Sequence, residues 1–221
     1  MLRDVSKLLC AALTGAVALL ALGPAAFAAE EVTGDPFTLD VCVVSGEKLG
    51  SMGDPIIISH EGREIRFCCA GCPPKFESDP ATFLSKIDEM MIKQQQSVYP
   101  LETCVVSGEV LTSSAKEVII NNRLVKFCSP DCPDTFAKDA AMYMAKLDDA
   151  VIEKQMATYP FDKCIVSAEK LEEGRTTKIV IANRLMKFCC TMCIDEVRND
   201  PLAALTQLMT GKFTAEGSDS K

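Results

Sequence analysis

Two hydrophobic rhythms alternate along the chain. Pro55-Ile56-Ile57-Ile58-Ser59-His60 is a β-rich run, Glu61-Gly62 is a turn pair, and Arg63 to Phe67 alternates apolar with polar residues. Two such runs around a two-residue turn predict a β-hairpin. The period then lengthens. Phe83, Leu84, Ile87, Met90 and Met91 recur at helical spacing behind Asp79-Pro80, which reads as an N-cap followed by a first-turn proline, and Tyr99-Pro100 ends the run. These limits predict a helix of roughly 15 to 19 residues.

The pair of elements returns twice. Asn121-Asn122 and Ala182-Asn183 take the place of Glu61-Gly62, and asparagine and glycine are the residues that tolerate the left-handed backbone of a tight hairpin. Tyr143, Met144, Leu147 and Val151 form the second helical stripe, and Leu202, Leu205, Leu208 and Met209, before Gly211, the third. Flanking residues repeat as well. Asp40-Val41-Cys42-Val43-Val44-Ser45-Gly46-Glu47 recurs as Glu102-Thr103-Cys104-Val105-Val106-Ser107-Gly108-Glu109 and as Asp162-Lys163-Cys164-Ile165-Val166-Ser167-Ala168-Glu169, with the cysteines 62 and 60 residues apart. Arg63 to Cys68, Arg123 to Cys128 and Arg184 to Cys189 form a second repeated block, in which the arginines are placed to brace each hairpin. A fixed period of this length marks an array of one structural unit. The expected boundaries are 29–98, 99–158 and 159–211, followed by a polar, disordered tail over 212–221.

The N-terminus stands outside this pattern. Arg3 and Lys7 precede an apolar run from Leu8 to Leu22, and Ala26-Phe27-Ala28 has the small residues of a cleavage site. Residues 1–28 therefore read as a secretory signal peptide, too short in its apolar part to be a spanning helix. The expected location is exported, periplasmic or secreted, with no stable membrane span after cleavage. Of 23 basic and 31 acidic residues, the leader holds Arg3, Lys7 and Asp4, so the mature chain carries 21 and 30, a formal charge of −9. Such an acidic chain lacks the basic patch that phosphate backbones require, which argues against nucleic-acid binding.

Eleven of the twelve cysteines lie beyond the leader. Nine of them form three repeated columns: Cys42, Cys68 and Cys72; Cys104, Cys128 and Cys132; Cys164, Cys189 and Cys193. Each first cysteine sits on a tight turn before the hairpin, and the other two, four residues apart, sit where the second strand turns toward a helix. Folding the hairpin back brings three thiolates to one point, as in zinc-knuckle and treble-clef-like sites. A unit of about sixty residues is marginal without such a staple. The last position of the C-x-x-C outline in the first turn is serine, at Ser45, Ser107 and Ser167, so each site is three-coordinate or borrows a ligand. Cys69 and Cys190 are possible auxiliaries, whereas Ser129 stands at that position in the second copy. Three sulfurs suit Cu(I), and three or four suit Zn(II).

Disulfides are the main competing use of the thiols in an exported chain, although three cysteines per unit cannot all pair internally. Cys69-Ala70-Gly71-Cys72 and Cys190-Thr191-Met192-Cys193 also have redox C-x-x-C spacing, which Ser129 breaks in the second copy. His60 is the only histidine and reads as a strand-end residue. Met90, Met91, Met142, Met144 and Met192 read mainly as packing residues on or near helices. Glu47, Glu109 and Glu169 recur beside the first turn, as caps of its amides or as neighbours of the metal.

A cysteine, twenty or more residues and then C-x3-C behind a hydrophobic-aromatic strand resembles the TRASH domain, a relative of the YHS and MYM-type metal-binding modules. Phe67-Cys68-Cys69-Ala70-Gly71-Cys72, followed by Phe76 and Asp79-Pro80, carries the resemblance most strongly; the gaps of 25, 23 and 24 residues run slightly longer than is usual for that family. The resemblance implies three small α+β units, each with a cysteine knuckle, a β-hairpin and a C-terminal helix, that handle heavy metals. The expectation is an exported protein, not an enzyme, that sequesters or relays Zn(II) or Cu(I), about one ion per repeat. Its expected partners are metal ions and another exported metal-handling protein. The competing functions are an extracellular interaction array stapled by metal or disulfides, and a thiol oxidoreductase.

Overall fold

The computed structural model describes residues 34–213. The expected leader, with Cys10, and the tail from 214 onward lie outside the described residues. Three antiparallel hairpins form where the period-two runs predict them: β1 (Ile56–His60) with β2 (Arg63–Phe67), β3 (Lys116–Ile120) with β4 (Arg123–Phe127), and β5 (Thr177–Ile181) with β6 (Arg184–Phe188). Their registers are equivalent, Ile56 facing Phe67, Lys116 facing Phe127 and Thr177 facing Phe188. A two-residue connection of this twist needs positive φ at both positions. Glu61 and Gly62 supply 52° and 76°, Asn121 and Asn122 48° and 67°, Ala182 and Asn183 51° and 57°.

Each hairpin leads into two helices, not the single one expected. A short helix comes first: α1 (Pro73–Ser78), α3 (Cys132–Lys138) and α5 (Met192–Asn199). The long helices α2 (Pro80–Gln95), α4 (Ala140–Met156) and α6 (Pro201–Thr210) follow. Asp79, Asp139 and Asp200 cap the long helices by accepting from the amides of Thr82, Met142 and Leu202. The short helices escaped prediction because six to eight residues show little periodicity. Packing forms them instead: Phe76 and Phe136 are buried against Phe67 and Phe127 at ring separations of 5.5 and 5.6 Å, and Val197 fills the third copy. α6 is also shorter than expected, with ten residues before Gly211 closes it at φ 64°. Met209, placed on its apolar stripe by spacing, is exposed, while Ala204 and Gln207 are buried.

The long helices are shared between units. Phe83, Ile87 and Met91 of α2 pack with Ile65, Phe67 and Phe76, and Ile92, the next residue, joins the next unit's core around Leu124 and Phe127. α4 repeats this, with Tyr143, Met144 and Leu147 in the second core and Val151, Ile152 and Met156 against Val180 and Leu185 of the third unit.

The hairpin turns meet in a buried polar joint. Gln95, fully buried at the end of α2, donates to the Asn122 carbonyl at 2.9 Å and accepts from the Leu124 amide at 2.9 Å and from Asn183 Nδ2 at 3.2 Å. Gln155 on α4 makes the same pair of bonds to Asn183 and Leu185. Asn122 Nδ2 donates to the carbonyls of Asp35 and Glu64, and its Oδ1 accepts from Arg63. Arg123 holds the Asp35 carboxylate with two nitrogens at 2.6 and 2.7 Å and reaches Asp148 and the Val180 carbonyl. Burial alone would lower the Arg123 pKa, but Asp35 and Asp148 raise it, so the guanidinium stays charged. Asp35 also accepts the Ala182 amide at 2.6 Å, touching the third turn. Two of the repeated arginines thus brace hairpins across units. Arg184 departs from them: Met209 stands where Asp88 and Asp148 meet the other two, and burial lowers its pKa. Asn183 Oδ1 has no partner among the described residues, because Arg123, the counterpart of the Arg63 that serves Asn122, is taken by Asp35.

The first and third units also touch. Arg66 donates to the Arg198 carbonyl and Arg198 to that of Gly34, beside a cleft of about 840 Å³ lined by Thr38, Lys48, Gln94, Val166, Leu202 and Met209. No helix among the described residues is long and apolar enough to cross a membrane.

Candidate metal centre

Three local structures converge in each unit. In the first, the Cys42 amide donates to the Glu47 carbonyl at 2.8 Å and the Gly46 amide to that of Cys42 at 2.7 Å, which folds 42–47 into a tight knuckle. The turn places its fifth residue in the left-handed region, at φ 78° for Gly46 and 77° for Gly108, and the third unit forces Ala168 to 61°. The second cysteine follows the buried phenylalanine that ends each hairpin, so Phe67, Phe127 and Phe188 anchor Cys68, Cys128 and Cys189. The third opens the short helix: Cys72 caps α1, Cys132 begins α3 and Cys193 is second in α5.

The result is three sulfur triads, Cys42–Cys68–Cys72, Cys104–Cys128–Cys132 and Cys164–Cys189–Cys193, with all three Sγ atoms within 4.8 Å of one another in each. The second and third sulfurs lie 3.7, 3.6 and 3.8 Å apart. All eleven described cysteines are free thiols, and these separations are far beyond the roughly 2.05 Å of a disulfide. They match the edge of a tetrahedron with metal–sulfur bonds of about 2.3 Å, which is about 3.8 Å. The donor set thus fits a thiophilic ion without rearrangement of these pairs.

The auxiliary cysteines lie at the same spacing. Cys69 Sγ is 3.8 Å from Cys68 and 3.7 Å from Cys72, and Cys190 Sγ is 3.5 Å from Cys193. In the second unit the corresponding atom is Ser129 Oγ, 3.2 Å from Cys132 Sγ. The knuckle serines do something else. Ser45, Ser107 and Ser167 lie 3.1, 3.2 and 3.2 Å from the second sulfur of their triads, and each Oγ accepts the amide of Glu47, Glu109 or Glu169. With the oxygen accepting from backbone, the hydroxyl proton is free for the sulfur, and a bond to a thiolate is of the stronger, charge-assisted kind. Each of these serines can therefore donate to its sulfur once that sulfur is a thiolate. The side chains at 69, 129 and 190 are the remaining candidates for a fourth ligand.

Electrostatics divides the labour among the sulfurs. Burial pushes the Cys42 thiol up, but the amides of Cys68, Ser45 and Val44 and the Ser45 hydroxyl outweigh it and hold the pKa at about 7. The same contest leaves Cys104 at about 6 and Cys164 at about 7. Cys72 is pushed up to about 12 by burial and by neighbouring sulfurs. At Cys128 the Ser107 hydroxyl pulls down, and burial, Cys132 and the Glu109 carboxylate prevail to give about 11. Glu109, and likewise Glu169 at Cys189, therefore reaches its centre in addition to shaping the turn. One thiolate per centre forms near neutral pH, and a cation must displace the remaining protons. The amide of Gly71 lowers Cys69, and that of Cys193 lowers Cys190.

The other singled-out residues lie in different settings. His60 packs edge-on against Phe76 at 5.2 Å. Met91 is core and Met90 and Met144 pack at its edge, while Met142 and Met192 are exposed. The hydroxyl-to-sulfur contacts were missed in the sequence, although Ser in all three knuckles was the available signal; Cys69 and Cys190, read there as auxiliaries with Ser129 at the same position, lie beside their triads.

Compared with known families, with curated proteins and with solved structures, the chain matches none. The TRASH-like reading accordingly rests on the motif alone, and the metal-binding reading on the three triads.

Proposed function

We propose that this is a metal-binding protein that takes up about one Zn(II) or Cu(I) per unit, in sequestration, trafficking or resistance, and that it is a carrier rather than an enzyme. The observation that supports this most is the threefold convergence of cysteine sulfurs to within 4.8 Å. Thiolates select soft and borderline ions, and a fourth position that differs between units suits exchange better than pure scaffolding. The leader pattern supports export to a periplasmic or extracellular space, where another exported metal-handling protein would be the partner. The repeat-by-repeat motif supports kinship with TRASH-type modules.

The test is to purify the mature chain anaerobically, count free thiols and measure bound metal by mass spectrometry. About three equivalents is the expected result; a folded, fully reduced protein that binds neither Zn(II) nor Cu(I) overturns the reading. A thiol oxidoreductase is the second reading, favoured by the lowered pKa of the partly exposed Cys69 and Cys190. It predicts that Cys69→Ser with Cys190→Ser abolishes disulfide reduction and leaves metal content unchanged.

A further inference from the structure

Resting on the metal-binding reading, we propose that the three centres are not equivalent: the first and third are closed four-sulfur sites, and the second is an open three-sulfur site whose fourth position accepts a thiolate from outside the chain. The second unit is then where metal is handed over.

The fourth corner is built by the same turn in the first two units. The carbonyl of Cys69 accepts the Cys72 amide at 3.1 Å, and that of Ser129 accepts the Cys132 amide at 3.4 Å, so the side chains of 69 and 129 leave equivalent backbone. Cys69 brings its sulfur 3.8 and 3.7 Å from two triad sulfurs and Cys190 stands 3.5 Å from Cys193, each beside the three sulfurs that lie within 4.8 Å of one another, so a bound ion would draw the fourth sulfur in. Ser129 brings only a hydroxyl, which lies 3.2 Å from Cys132 Sγ. A neutral hydroxyl is a poor ligand for a thiophilic ion. Residues 69, 129 and 190 are all partly exposed, so where sulfur is missing the corner faces water. Glu109 is the other oxygen near this centre, but Glu169 stands in the same relation to the third, so the glutamate is not what distinguishes them. The distinguishing exchange is sulfur for oxygen at 129.

Transfer through such a corner needs no redox step. An incoming thiol gives its proton to solvent, its sulfur bonds the metal, and the weaker metal–oxygen bond, to water, hydroxyl or carboxylate, breaks. The metal keeps its oxidation state. The incoming ligand is a thiolate, either of a small cellular thiol or of a cysteine on a protein partner.

The experiment titrates the full mature chain with Co(II) under anaerobic conditions and follows the sulfur-to-Co(II) charge-transfer and ligand-field bands. Two equivalents are expected to bind with tetrathiolate spectra, and a third at least about 100-fold more weakly, a ligand loss exceeding the roughly 10–100-fold effect of outer-shell changes. Glutathione, or a short peptide carrying one cysteine, should then shift the spectrum of the third equivalent alone, and the tighter of the two identifies the source of the thiolate. Ser129→Cys should bring the third equivalent level with the others and remove the thiol response. Cys69→Ser should create a second responsive site. Three equivalents of equal affinity, a third whose spectrum neither thiol moves, or a Ser129→Cys protein that behaves as the parent overturns the inequality while leaving metal binding intact. Absence of Co(II) at every site overturns the metal-binding reading itself.

Discussion

The thiol centres and the joint of hairpin turns are both buried polar clusters, yet they are built on opposite plans. Each centre draws its sulfurs from within one unit, over 31, 29 and 30 residues from first to last cysteine, and is repeated three times. The joint occurs once and draws on all three: Asp35 from the start, Asn122 and Arg123 from the middle, Ala182 and Asn183 from the end. In the first the repeat is kept because each ion needs the same donors. In the second the repeat is broken because each turn meets different neighbours. Local chemistry is copied, and the contacts between copies differ.

The comparison breaks most sharply if one centre is removed. Cys164→Ala should lower metal content by one equivalent and destabilise the third unit by an amount on the order of 10 kcal/mol, the scale of structural zinc binding, while the first and second centres stay loaded. Loss of metal from all three units would show that the centres are not local. Asp35→Ala should do the reverse. It leaves the Arg123 guanidinium buried without its main partner, a change that costs about 3–5 kcal/mol. Urea unfolding of the loaded protein should show that loss with three equivalents still bound.

Smaller changes test the serine donors. Ser107→Ala removes the hydroxyl 3.2 Å from Cys128 Sγ and should weaken metal at the second centre by roughly 10–100-fold, as outer-shell partners do. In the metal-free protein, thiolate absorbance should rise first between about pH 6 and 7, from Cys42, Cys104 and Cys164, with Cys72 far later near 12. These knuckle thiols lie below the ordinary 9.0 when folded. Their contribution to stability is therefore fully present above about pH 9 and is lost as the pH falls through 7 and 6. The metal-free protein should unfold at lower urea at pH 5.5 than at pH 9. The smallest effect is a gain. Ala168 adopts φ 61° where the other knuckles have glycine, so Ala168→Gly should stabilise the third unit by up to about 1 kcal/mol, read as a higher melting temperature.

Much of this was legible in the chain because the signals are short-range. Alternation, the turn pairs and the Asp79-Pro80 cap specify hairpins and long helices within a dozen residues, and the three cysteine columns show by repetition alone which side chains belong together. Asn122 and Asn183 were legible as turn residues but not as the hydrogen-bonding hub, since a turn preference says nothing about what packs on the turn. The short helices were hidden for a related reason. Phe76 and Phe136 make them stable only when Phe67 and Phe127 lie across from them.

The sequence by itself therefore determined the α+β unit, its repetition and the sulfur set of each centre, because backbone propensity, side-chain period and ligand identity are properties of neighbouring residues. Only the tertiary structure decided that α2 and α4 serve two units each, that Asp35 ties the three turns, and that the knuckle serines approach the second sulfur of each triad. Those outcomes depend on which elements pack together: the shared helices and the turns on contacts between residues far apart in the chain, and the knuckle serines on the hairpin that brings the second sulfur within 3.1 or 3.2 Å of them.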